Sequence, residues 1–420
     1  MGQTIVEKVL ARASGRTKTS PGDIVTARVD LAVANDLSGP LAIKQMLKVG
    51  PVRFFDPERI CFVAGRHAPF NNSQIAQNVA ELGRLCRDQG VELFFGHGEG
   101  MDHVVLPEEG LVRPGALICN GDSHAATIGA FGAIGIPMGS TDMAYIFAFG
   151  ETWLKVPPTL LAHFSGKPEK GITTKDLTLA LLGVIGVSGA DYMSIEYEGD
   201  ALDAFSVCER ATLPNMAVEM GAKTAVIAPR ADTLKWLEQR GVDVSGSVRA
   251  DVGASYERRV HIDAVALAPQ IAVPHSPDNV VAVDQVVGTA LDQINIGTCT
   301  NGRIEDLHQA AELLNGRKSH PGIRFLVTPA SRRTYDEAMR DGTLAILSEA
   351  GAIINPPGCG ACAGWHMGAL AEREVCLATH NRNFKGRMGH PDAQIYLASP
   401  YVAAASAITG RITDPREFLN

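Results

Sequence analysis

Apolar residues recur along the chain at the two spacings that distinguish helices from strands. In MGQTIVEKVLARAS they fall at positions 5, 6, 9 and 10, one face of a helix, so the N-terminus predicts an amphipathic helix. Ser73 can cap a second helix with an apolar face of Ile75, Val79, Leu82 and Cys86, closed by Gly90, and VELFFG after it predicts a strand. This alternation continues through much of the sequence and predicts an α/β protein built on parallel sheet. Two stretches, KVPP at 155–158 and the Pro-rich APQIAVPHSPDN at 268–279, lie between patterned segments and predict boundaries. Three α/β lobes follow, 1–156, 157–272 and 273–420, with no internal repeat and no low-complexity tract.

The apolar runs end in an unusual way. VELFF leads into GHGEGMDH, ALIC into NGDSH, INI into GTCTNGR, AII into NPPGCGAC and VCLA into THNRNFKGR. Any one of these could be an ordinary surface turn. Open parallel sheets, however, place ligand chemistry in the loops at the carboxyl ends of their strands, where rigid strands support converging loops. Five such ends rich in Gly, His, Cys, Asn and Arg predict one shared active site.

Composition narrows the class. A chain of 420 residues, 45% hydrophobic, can bury a large core, and a formal charge of −8 leaves no general footprint for nucleic acid or an anionic membrane. Eight scattered cysteines do not form the dense framework of a secreted mini-domain, so a reducing compartment is expected. No apolar run approaches the roughly 18 residues of a membrane span, and the N-terminus has no signal-peptide pattern. The expected location is cytoplasmic.

The candidate chemistry begins with Cys359 and Cys362 in C-x-x-C spacing, with Cys299 at another strand end. Addition of His366 would complete a Cys3His zinc site; a dithiol redox pair is a second reading. Three thiolates without a fourth suit a 4Fe-4S cluster with one iron left open as a Lewis acid. Asp122 and His124, in NGDSHAATIGAFGAIG, put a carboxylate and an imidazole beside a Gly-rich turn. That turn is a poor dinucleotide fingerprint, because no acidic residue follows at the expected distance, and tight packing also accounts for it. His67 and His103 are acid/base candidates near neutral pH. Arg382 and Arg387 lie in a basic run that reads either as a solvated loop or as a bidentate clamp for a di- or tricarboxylic acid.

Taken together, these residues resemble the aconitase superfamily, and within it the separate large subunits of the isopropylmalate isomerase and homoaconitase type. The resemblance spans essentially the whole chain and is carried by VDLAVANDLSGPLAIK, GDSHAATIGAFGAIG, GSTDMAYIFA, NMAVEMGAK, PHSPDN, GTCTNGRIEDL, PPGCGAC, NRNFKGRMG and YLASPYVAAASAITG. It implies three α/β lobes around a 4Fe-4S cluster with one open iron, held by Cys299, Cys359 and Cys362, without the swivelling fourth domain. It also implies an Asp122–His103 pair, His124 beside the open iron, His67 as the imidazole that protonates the leaving hydroxyl, Glu196 at an acidic site position, and Arg382 and Arg387 on the substrate carboxylates. The expected reaction is reversible dehydration of a 2-hydroxy-dicarboxylate. The base that takes the substrate proton, a serine on the swivelling domain, is expected on a small-subunit partner because this chain stops at Asn420.

Two residues depart from the family pattern. Arg66 stands immediately before His67 where an Asp is usual, and Asp102 precedes His103 where relatives more often have an uncharged residue. An Arg there is expected to oppose a protonated imidazole at His67. That makes a non-isomerising hydratase of maleate, citraconate or a methylmalate the alternative. Two other classes are a zinc-stabilised protein without catalysis and a cluster-free nucleic-acid-binding regulator, the latter opposed by the acidic charge and the complete cysteine triad.

Overall fold

The computed structural model describes residues 2–364 and 367–419; His366, and with it the Cys3His reading, lies outside the described residues. Contacts divide the chain into two compact units in place of the three contiguous lobes that the boundaries at 156 and 272 predict. The first holds residues 1–163, 190–198 and 221–260, and the second 164–189, 199–220 and 261–420. The division differs because the middle third is not one body: its strands Ser194–Glu198 and Thr224–Ile227 pair with each other in the first unit. The Pro-rich segment 268–279, expected as a boundary, lies inside the second unit. It contains strand Gln270–Ala272, which pairs with Val280–Ala282 and, through Ala272, with Leu397.

In the first unit the main sheet has five strands in the order Phe94–Phe95, Ile60–Val63, Leu31–Asn35, Leu117–Asn120 and Ile134–Pro137, every pair parallel. The central strand, LAVAN, is buried at all five positions, as a strand covered on both faces must be. Helices Ser38–Leu47 and Ser140–Phe149 pack on each other, and the apolar core gathers Ile60, Phe62, Leu117, Ile134, Met143 and Phe147. The helix expected from Ser73 runs over Ser73–Gln89; its cap is Asn72, whose side chain accepts from Ile75 N, and it closes on Gly90 as expected. The Gly-rich run forms a 3-10 helix, Ala125–Phe131. A Cβ at Gly129 would collide with the carbonyl of Ala225, so the tight-packing reading of this run is the right one.

The second unit is built on a seven-stranded sheet in which Gln394–Leu397, Val375–Ala378, Gln293–Gly297, Arg324–Thr328 and Ile353–Ile354 are successive parallel neighbours. Helices Ile304–Leu314 and Pro400–Thr409 pack on each other and close the core with Leu307, Leu314, Phe325, Leu347 and Val402. All five apolar runs with reactive ends are therefore strands, two in the first unit and three in the second. No helix among the described residues is long and apolar enough to cross a membrane.

The N-terminal helix, Ile5–Ala13, buries Ile5, Val6, Val9 and Leu10, the positions its periodicity selects, and carries a Thr4/Glu7 capping box. Its first amide is satisfied from far along the chain. Ile5 N donates to Glu196 Oε1 at 2.6 Å, and Tyr256 OH donates to Glu196 Oε2 at 2.9 Å. Glu196, expected at an acidic site position, has both oxygens engaged here, by the first amide of the N-terminal helix and by the Tyr256 hydroxyl.

Burial raises the Glu196 carboxyl to about 7, against the pull of the Ile5 and Tyr256 hydrogen bonds. The folded state therefore holds this proton more tightly than the unfolded chain. The stability it contributes is complete below about pH 4.5 and is lost as pH rises through 7. Glu196→Gln has no proton to lose and keeps an acceptor for Ile5. Urea unfolding at pH 5 and pH 8 should show the difference between the two pH values shrink in the variant by up to about 3 kcal/mol; an unchanged difference would refute the assignment. Asp176 and Asp306, raised by burial to about 6 and about 7, leave a residual slope of the same sign.

Candidate functional site

Four neighbouring parallel strands of the first unit deliver their carboxyl ends to one edge of the sheet. Leu31–Asn35 leads into Asp36, Ile60–Val63 into Arg66 and His67, Phe94–Phe95 into Asp102 and His103, and Leu117–Asn120 into Asp122 and His124. Gly65 lets two of these loops touch, since a Cβ there would strike the backbone of Gly100. The imidazoles and carboxylates are buried, from His103, wholly inaccessible, to His124 at 8% exposure.

The two acid/base candidates are held in the same way. Asp36 Oδ2 accepts from His67 N at 3.1 Å and lies 3.0 Å from His67 Nδ1. Asp102 Oδ1 accepts from His103 N at 2.9 Å and lies 2.8 Å from His103 Nδ1. An ionised carboxylate only accepts, so each ring carries a proton on Nδ1, and exchange with a substrate falls to Nε2. Burial alone would push the Asp102 carboxyl up. The hydrogen bonds and charge of His103, with the charge of Arg66, outweigh that and hold it below the usual carboxylate range.

Arg66 and His67 each have a carboxylate partner. The Arg66 guanidinium donates to Asp122 Oδ2, and Asp36, 31 residues from His67 in the chain, supplies the orienting carboxylate. The expected Asp122–His103 pair is loose, with 3.7 Å between Asp122 Oδ1 and His103 Nδ1. Asp122 Oδ1 instead accepts the backbone N–H of His124 at 2.7 Å. Asn35 spans the group, its amide nitrogen 3.3 Å from Asp102 Oδ2 and 3.5 Å from Asp122 Oδ2. The rings of His103 and His124 are neighbours, with centroids 6.1 Å apart.

The second unit gathers the cysteines and arginines. Cys299 sits on the helical turn Thr298–Asn301 directly after strand Gln293–Gly297, and this turn packs against Gly360–Ala363, which carries Cys362 and follows Cys359. Thr298 adopts φ +69°, a conformation rarely tolerated by a β-branched residue and costing about 1–3 kcal/mol. The turn is anchored from the next strand, where Thr379 Oγ1 accepts Gly297 N at 2.9 Å. None of the eight cysteines is in a disulfide, and they fall into two kinds. Burial pushes Cys86 and Cys119 up to about 12, as inert core residues.

Cationic and amide donors face the site cysteines. Arg387 donates through Nε to the Cys362 carbonyl at 3.0 Å and through Nη2 to Cys362 Sγ at 3.5 Å. Asn215 Nδ2 points at Cys299 Sγ from 3.9 Å, and its Oδ1 accepts Asn381 Nδ2 at 2.8 Å. Arg382 Nε donates to the buried Glu219 at 2.8 Å. Neither arginine is a bare clamp, then; each is already oriented by a partner. Lys175, fully buried, donates to the carbonyls of Thr379 and His380 at 2.8 and 2.7 Å. Burial drives its ammonium down to about 7, while Asp306, Cys299, Cys362 and Glu219 pull the other way. Donors aimed at sulfur suit thiolate ligands, so the donor set fits an iron-sulfur cluster. Asn215 and Glu219 carry no role in the sequence reading; the signal was present in NMAVEMGAK, where an amide and an acid interrupt an otherwise apolar run.

The aconitase family (aconitate hydratase) matches residues 63–295 and 284–410. The chain is 47% identical over 419 residues to the 3-isopropylmalate dehydratase large subunit 1 of Methanopyrus kandleri, covering 100% of both proteins. It is 45% identical to the 3-isopropylmalate dehydratase large subunit of Sulfurihydrogenibium sp., over 99% of this chain and 97% of that protein. It is also 45% identical to the large subunit 1 of the same name in Pyrococcus furiosus, over 100% of this chain and 99% of that protein. With strand-end chemistry of this kind and relatives matched over their full length, the chain belongs to the aconitase family.

Proposed function

We propose that the chain is the large, cluster-bearing subunit of a hydro-lyase that reversibly removes and adds water on a 2-hydroxy-dicarboxylate of the 3-isopropylmalate type. The observation that carries this reading is the pair of buried imidazoles, His67 and His103, each with Nδ1 engaged by a carboxylate so that Nε2 does the proton work. The names of the relatives support the substrate and a small-subunit partner. With Arg66 engaged on Asp122 and Asp36 on His67, the charge conflict that favoured a non-isomerising hydratase has lost its basis.

Cys299, Cys359 and Cys362 would hold a 4Fe-4S cluster, which when bound supplies an iron with an open position, a Lewis acid toward a substrate hydroxyl and carboxylate. The substrate hydroxyl can leave as water only if it gains a proton, and His67 delivers that proton from Nε2 while Asp36 holds the ring and balances its charge. His103, with its ring on Asp102, and His124, with its backbone amide on Asp122, present neighbouring rings that orient the hydroxyl-bearing carbon's substituents. Arg382 and Arg387 hold the substrate carboxylates, their guanidinium planes set by Glu219 and Cys362. The proton on the neighbouring carbon passes to a serine on the small subunit. Addition of water to the resulting alkene with hydroxyl and proton exchanged between the two carbons completes an isomerisation; addition in the original sense reverses the first step.

Two measurements check this reading. Anaerobically purified protein should be brown, with a broad visible band and iron and sulfide in near-equal amounts, and Cys299→Ser should lose the colour; a colourless protein with stoichiometric zinc would overturn the cluster. Turnover of 3-isopropylmalate should require addition of a small subunit of the same family. Robust dehydration by this chain alone would show that it needs no partner residue.

A further inference from the structure

We infer that Asp102, and not Asp122, is the carboxylate that positions His103 in this protein, and that Arg66 makes the exchange necessary by holding Asp122. The inference rests on the dehydratase reading only for its effect on turnover. The positioning itself stands on geometry.

Three carboxylate and imidazole groups crowd this point: ligand-type atoms of Asp102, His103 and Asp122 all lie within 4.8 Å of one another. Two buried carboxylates so close repel unless each has its own positive partner or donor. The structure separates them. Asp122 Oδ2 takes the Arg66 guanidinium and Asp122 Oδ1 takes the His124 amide, leaving Oδ1 3.7 Å from His103 Nδ1, beyond hydrogen-bond reach. Asp102 Oδ1 takes both the amide and Nδ1 of His103, within the first turn of helix Asp102–Glu108. His103 and Arg66 favour the ionised Asp102 carboxylate against the effect of burial, which suits its part as an acceptor.

The two departures from the family pattern are thereby one device. Asp102 without Arg66 would face an unneutralised Asp122; Arg66 without Asp102 would withdraw Asp122 and leave His103 without an orienting carboxylate. Asp36 repeats the arrangement on His67, clamping amide and Nδ1 with one oxygen, while its Oδ1 is buried and meets no hydrogen-bond donor among the described residues.

The first test needs no turnover. The chain is labelled with 15N-histidine, and the His103 ring signals are assigned by their loss in His103→Gln. Asp102→Asn should abolish the protected Nδ1–H signal of His103 and turn the ring into a tautomer mixture, whereas Asp122→Asn should leave that signal in place. The opposite pattern overturns the inference, as does a His103 signal indifferent to Asp102. Circular dichroism and thermal melting confirm that the variants are folded. The second test is a mutant cycle in the cluster-loaded complex with its small subunit. Asp102→Asn should lower kcat about 100-fold with KM changed less than about twofold, the size expected when a residue that orients a working group is lost. Adding Arg66→Gln should restore about tenfold, because Asp122 is released to reach His103. A double variant as poor as the product of the singles would overturn the compensation. A wild-type complex without turnover would refute the dehydratase reading, while the ring spectra would still decide the positioning.

Discussion

An ionised carboxylate taken out of water must be given a cation or several donors, since leaving it bare costs far more than any single contact returns. At the carboxyl edge of the first unit's sheet this constraint acts on Asp36, Asp102 and Asp122 at once. Their partners include the imidazoles of His67 and His103, the Arg66 guanidinium, the Asn35 amide and the backbone amides of strand-end turns. Asp36 takes His67, Asp102 takes His103, and Asp122 takes Arg66 with the His124 amide. This allotment of charge leaves Nδ1 of His67 and of His103 on a carboxylate.

The second unit meets the same demand from the other side, with thiols and buried cations. Arg387 lies on Cys362, Asn215 turns its amide to Cys299, and Lys175 is held by two carbonyls of the turn after Val375–Ala378. Thr298 keeps a conformation that its side chain disfavours, and such strain persists only where surrounding bonds over-determine it. Here the Gly297 amide bound to Thr379 and the link from Thr300 through Asn381 to Asn215 serve that purpose. Strain and pairing together place a cysteine at the end of a rigid strand.

Much of this was legible in the sequence. The N-terminal helix buries the four residues that its spacing selects, and all five apolar runs with reactive ends are strands of parallel sheets. Where the structure reads differently from the sequence, the cause is common. Glu196 reads as a site acid because its neighbours do not reveal Ile5, 191 residues away, which takes its Oε1. The segment 268–279 reads as a boundary because its prolines, at 269, 274 and 277, flank and hide the short strand Gln270–Ala272, which pairs on both sides within the second unit's sheet. Arg66 seems hostile to His67 because the sequence does not reveal that Asp122 takes its guanidinium and that Asp36 lies on the ring.

By itself, then, the sequence determined the elements and the inventory: the periodicities that make helices and parallel strands, and the reactive residues that end them. Those are local properties, governed by side-chain spacing and backbone preference over a few residues. Tertiary structure alone decided the pairings. Which carboxylate serves which imidazole, and which cation quiets the carboxylate left over, depends on parallel strands from distant parts of the chain ending side by side, where burial makes every charge seek the nearest opposite one.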